Sequence, residues 1–154
     1  VIRGESDVSN RLQRLIIIYR VVQVFLFGLF LYMAYHFQQL FQAKGMPQVF
    51  LNSLITSLVV QLLLFYPIRQ LAAHEAGREA ASEAPDLSPD ARKDLRQQRI
   101  FAELVKASVF LSFVVFILLA PSATFIMSTA FFCFLLTVLT YAHCFNFALS
   151  RLAR

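Results

Sequence analysis

Apolar residues in this chain gather into four long runs, separated by short polar breaks and one charged interval. A helix that crosses a bilayer needs about 20 mainly apolar residues. The first run extends from about Leu15 to Leu40, and the second from about Val49 to Ile68. The third is shorter, Leu104 to Ala120, and the fourth runs from about Ala123 to Leu149. Pro47 stands where a helix starts, since its missing N–H is no loss in a first turn. Pro67 falls near the end of the second run, where it can kink the helix. Pro121 and Ser122 break the helix between the third and fourth runs. So short a connection predicts that these two spans are antiparallel neighbours.

Between the second and third runs, residues 69–103 carry a pattern of their own. RQLAAHEAGREAASE is rich in helix formers, and APDLSP interrupts it. Ser88, Pro89 and Asp90 read as an N-cap, a first helical position and an acidic first turn. A helical hairpin is predicted, each arm continuous with a span. Glu75, Glu79 and Glu83 recur every four residues, while Arg92, Arg96 and Arg99 recur at four and three. Each set therefore forms one face of a helix. If residue numbers across the hairpin sum to a constant, Glu83 faces Arg92, Glu79 faces Arg96 and Glu75 faces Arg99. Such rows set register more than stability, at about 0.2–1 kcal/mol per exposed pair. The alternative is two solvated faces that never meet.

Basic residues decide the expected orientation. Arg3, Arg11, Arg14 and Arg20 precede or open the first run. Arg69, Arg78, Arg92, Lys93, Arg96, Arg99 and Lys106 surround the charged interval, and Arg151 and Arg154 close the chain. Only Lys44 stands on the other side. The positive-inside rule then places both termini and the hairpin in the cytoplasm. The chain begins at Val1 rather than Met, which leads us to expect residues before it. No small-residue cleavage site follows the first run, so it is read as a retained span and not a signal peptide.

Composition agrees with lipid as the solvent. Hydrophobic residues make up 58% and charged residues 15%, against roughly 45–50% and about 25% in soluble domains. The fold class predicted is an all-α integral membrane bundle of four transmembrane helices, with a cytoplasmic helical hairpin between the second and third. At 154 residues one membrane domain accounts for the whole chain. The pI of 9.6 does not point to nucleic acid. Its surplus charge lies along the membrane face, where anionic headgroups are the natural partner.

Catalytic and cofactor signatures are sparse. Four glycines in the whole chain leave neither a phosphate loop nor a dinucleotide fingerprint. Cys133 and Cys144, eleven residues apart, are separated by about 16 Å of helical rise, too far for a mutual disulfide. No zinc-type cluster occurs, and His143 beside Cys144 points about 100° away from it. His36, His74 and His143 differ in predicted depth or in membrane position, which argues against a haem held by two of them. No cofactor is predicted, although a haem shared with another subunit stays open. Spans one, two and four carry no carboxylate, so proton-coupled transport by this chain alone is disfavoured.

What remains is weakly polar. Thr129, Cys133, Thr137, Thr140 and Cys144 form a stripe along span four, and Ser53, Ser57 and Gln61 form one on span two. Ser108 and Ser112 make a shorter version on span three. Such residues let helices approach closely and bond across the contact; the other reading is a hydrated path. Gln61 is the sharpest of them, because an amide in hydrocarbon needs partners. The chain also has 17 Phe, more than one small bundle buries, so some face lipid or another protein. The leading expectation is a non-catalytic membrane subunit that packs against itself or a larger complex. A homo-oligomeric channel or transporter comes second. A membrane enzyme acting on a lipophilic substrate comes third, weakened by the lack of a nucleophile and base at a useful spacing.

Overall fold

A computed structural model describes residues 2–82, 88–119 and 124–152, and within them the backbone is nearly all helical. The elements are α1 (Ile2–Ala43), α2 (Pro47–Ser82), α3 (Pro89–Leu119) and α4 (Thr124–Leu152). Among the described residues, three stretches are long and apolar enough to cross a membrane: Leu12–Ala43, Pro47–Ser82 and Phe125–Leu152. The third expected span lies in α3, where the side chains of residues 110, 113, 114 and 116–118 fall outside the description, as does Ala120.

Local chemistry sets the helix ends. α1 stops at Ala43 because Gly45 turns into the left-handed region, with φ of 70°, which costs glycine nothing. Met46 N–H then donates to the Phe41 carbonyl at 2.9 Å and Gly45 N–H to the Gln42 carbonyl at 3.0 Å. These two bonds form a Schellman motif and satisfy carbonyls the helix end leaves open. Pro47 starts α2 immediately afterwards. Ser88 caps α3, its hydroxyl accepting from Ala91 N–H at 3.3 Å, with Pro89 as the first helical residue.

α2 and α4 make the most extensive contact, and they run parallel. Partners advance together along both helices, Ser53 with Ser128 and Gln61 with Thr137 and Thr140. α1 crosses α4 in the antiparallel sense, with Tyr19 on Phe145 at 4.5 Å and Phe30 on Phe132 at 5.6 Å. Two apolar clusters close this three-helix core. Leu12, Ala72, Ala76, Phe145 and Leu149 pack at one end, and Phe37, Phe41 and Phe132 at the other. Ala72 and Ala76, one turn apart and fully buried, let α2 come close to its neighbours there.

α3 is the most lightly packed of the four helices. It meets α4, its expected neighbour, but only lightly, touches α2 to the same extent, and lies at the edge of the core. A short connection fixes where a helix begins and its direction, but not how much of its face is covered. On α3 the large apolar side chains Phe101, Leu104, Leu111 and Leu119 are exposed.

Two glycines give opposite predictions. Gly45→Ala forces a Cβ into a left-handed turn and should lower stability by about 1 kcal/mol. Gly28→Ala adds a methyl inside α1 where nothing lies within 4 Å, and should raise stability by about 0.5–1 kcal/mol. Unfolding of both variants by denaturing detergent in mixed micelles measures the difference.

Candidate functional site

Polar side chains on α2 point into the contact with α4, and they meet partners there. Ser53, Ser57 and Ser128 are fully buried. Ser53 Oγ donates to the Phe50 carbonyl at 2.8 Å and lies 2.8 Å from Ser128 Oγ. A hydroxyl has one proton. With that of Ser53 given to Phe50, Ser128 is the donor across the interface. Ser57 donates its own proton to the Ser53 carbonyl.

Two turns further along, the Gln61 amide reaches α4 with both ends. Its Nε2 donates to Thr140 Oγ1 at 2.7 Å, and its Oε1 accepts from Thr137 Oγ1 at 3.2 Å. The stripes read in the sequence on spans two and four thus meet through Gln61, Thr137 and Thr140. Thr129 Oγ1 is buried without a partner among the described residues, while Cys133 and Cys144 are half-buried free thiols. Ser108 and Ser112 do not join this seam. They are exposed on α3, where Ser112 bonds the Ser108 carbonyl at 2.8 Å.

A second cluster ties α2, α3 and α4 together through charge. Glu75 Oε2 accepts from the Tyr141 hydroxyl and from Lys106 Nζ, the latter at 2.7 Å. Lys106 also reaches Glu103 at 3.0 Å and sits 5.3 Å from the centre of the Tyr141 ring. Glu75 is only 11% exposed, so its charge depends on these partners far more than a solvated carboxylate would. Beside the cluster Glu79 pairs with Arg99 at 3.3 Å.

The ion pairs between the arms are therefore shifted from the register read in the sequence, by about one turn at Glu79 and about two turns at Glu75. Glu79 meets Arg99 rather than Arg96, and Glu75 meets Lys106 rather than Arg99. Side chains lean towards the N-terminus of their own helix. On antiparallel arms the glutamates lean one way and the cations the other. Head groups consequently meet for residue numbers whose sum exceeds that of the facing Cα atoms. The third expected pair, Glu83 with Arg92, lies outside the described residues.

Among the described residues no group of three or more His, Cys, Asp or Glu is placed to hold a metal ion. His74 is exposed, and His36 stacks on Tyr32 with ring centres 6.4 Å apart. The cavity beside the charged cluster, lined by Tyr19, Glu79, Arg99 and Lys106 among others, measures about 90 Å³. Small-molecule pockets run to about 300–1,000 Å³, so this one admits a few waters. Sequence reasoning missed Ser128 and Tyr141 and did not bring Lys106 to Glu75. A tyrosine one residue past Thr140, near the basic end of its span, was the signal available for Tyr141.

Comparison with known protein families, with curated proteins and with solved structures gives no match.

The two clusters differ in what their loss should do. Gln61→Leu keeps the volume and frees two threonines that can turn back to their own helix, so the expected loss is about 1 kcal/mol. Glu75→Gln and Lys106→Met, combined in a double-mutant cycle in mixed micelles, should show coupling of about 1–2 kcal/mol. Coupling near zero would mean that the bond does not hold α3 to α2.

Proposed function

We infer that the protein is a non-catalytic membrane subunit with four spans, whose termini and 69–103 arm lie on the cytoplasmic side. It packs through its spans against copies of itself or against a larger membrane complex. The arrangement of α3 carries this reading. Lys106 and Arg99 tie α3 to α2 at its charged end, while Ser108 and Ser112 sit one turn apart on an exposed face among exposed Leu104, Val105, Val109 and Leu111. Small residues four apart, flanked by bulky apolar ones, are the usual surface for close helix packing in lipid. Lipid gives apolar helices little reason to associate, so a span this lightly packed gains its missing contacts from another protein's helix.

A pore walled by α2 and α4 has less support. Ser53, Gln61, Ser128, Thr137 and Thr140 bond to one another across the two helices, which leaves few groups to replace an ion's hydration. A lipophilic-substrate enzyme has less support, since among the described residues no nucleophile is bonded to a histidine base. The orientation rests on the basic residues, with Lys44 alone opposite the rest.

A photo-crosslinker at position 112 should capture another polypeptide in the native membrane, while one at Leu62, exposed on α2, should capture mainly lipid. Recovery of a lone monomer with only lipid attached at position 112 would overturn the subunit reading. For orientation, Lys44→Cys should react with an impermeant thiol reagent from outside intact cells, and Arg78→Cys only after permeabilisation. Both variants carry Cys133→Ala and Cys144→Ala. Equal labelling of the two positions from one side would overturn the four-span arrangement.

A further inference from the structure

α1, α2 and α4 leave a groove on the outer side of the bundle. It has two compartments that share Gln23 and His143 as walls. One, about 230 Å³, is completed by Arg20, Asn146, Phe147 and Ser150. The other, about 490 Å³, is walled chiefly by Val24, Phe27, Phe65 and Leu139. Polar groups thus gather towards the Arg20 end and apolar groups beyond it, the division found in an amphiphile.

The polar compartment holds unmet hydrogen-bonding capacity. Gln23 Nε2, a donor, and Asn146 Oδ1, an acceptor, are buried without partners among the described residues. Asn146 is itself only 9% exposed. Buried amide groups left unpaired are destabilising and uncommon. The last torsion of each side chain is soft, so a small rotation turns the unmet atom towards an occupant. Charge narrows the choice further. Arg20 lines the compartment, Arg151 lies 4.5 Å above the Phe147 ring, and among the described residues no carboxylate lines either compartment.

We propose that this groove binds one molecule of phosphatidylglycerol. Its phosphate accepts from Arg20 and Gln23, a headgroup hydroxyl donates to Asn146, and one acyl chain lies between Val24, Phe27, Phe65 and Leu139. Phosphatidylcholine offers the phosphate without a donor. Phosphatidylethanolamine offers a donor but cancels the charge that Arg20 attracts. The assignment requires the chain to sit in a bilayer and is independent of whether it is a subunit.

The test is native mass spectrometry of the full chain, delipidated in mild detergent and titrated separately with palmitoyl-oleoyl phosphatidylglycerol, phosphatidylethanolamine, phosphatidylcholine and glycerol phosphate. One phosphatidylglycerol should remain bound at concentrations at least tenfold below those needed for either other lipid. Arg20→Gln and Gln23→Leu should each weaken it about tenfold. Lys44→Gln, at the far end of α1, should leave it unchanged. Unaltered helicity and melting confirm that each variant is folded. Equal binding of all three lipids, binding unaffected by both groove variants, or glycerol phosphate binding as tightly as the lipid would each overturn the proposal.

Discussion

Apolar side chains gain little by leaving lipid for one another, so helices within a bilayer hold together by close packing and by polar bonds that lipid cannot supply. In this chain that constraint falls on the contact between α2 and α4. Ser53, Ser57 and Ser128 are small enough for the backbones to come near, and their hydroxyls have bonding partners at that distance. Gln61 then spans to Thr137 and Thr140, so its amide donor and acceptor are both met on the facing helix. α1 packs across this pair through rings, chiefly Tyr19, Phe30 and Phe37.

Charge governs the other end of the molecule. Glu75 lies nearly out of water and is shared between a tyrosine of α4 and a lysine of α3. That single carboxylate joins three helices, whereas Glu79 with Arg99 bridges two and keeps one partner 55% exposed. The inner pair therefore fixes α3 more than the outer one, because screening by salt weakens exposed charges first.

Much of this architecture could be read from residue order, and the failures share a cause. The apolar runs, Pro47 and the Ser88–Pro89 cap are local signals, and α2 and α3 begin where they stand. Gln61 stood out because its chemistry demands partners whatever the fold. Ser128 escaped because it adjoins Thr129, which has the better helical spacing. Periodicity reveals that a stripe exists, yet it does not say which of two adjacent residues, about 100° apart, aims at the neighbour. The Glu75, Tyr141 and Lys106 cluster draws on three helices, and no spacing within one of them encodes it. The shifted arm register came from treating side chains as if they stood perpendicular to their helices.

α2 passes through Pro67 without ending, and the ring has no N–H to offer the carbonyl of Leu63. Hydrocarbon leaves such a carbonyl unsatisfied, whereas interfacial water can reach it. Tyr66, bonded to Gln70 at 3.0 Å, and Arg69 follow on the same stretch and also favour the boundary between lipid and water. In a bilayer these groups would resist sliding of α2 along the membrane normal. A membrane of another thickness would then be met by tilting or bending of the helix or by deforming the bilayer around it.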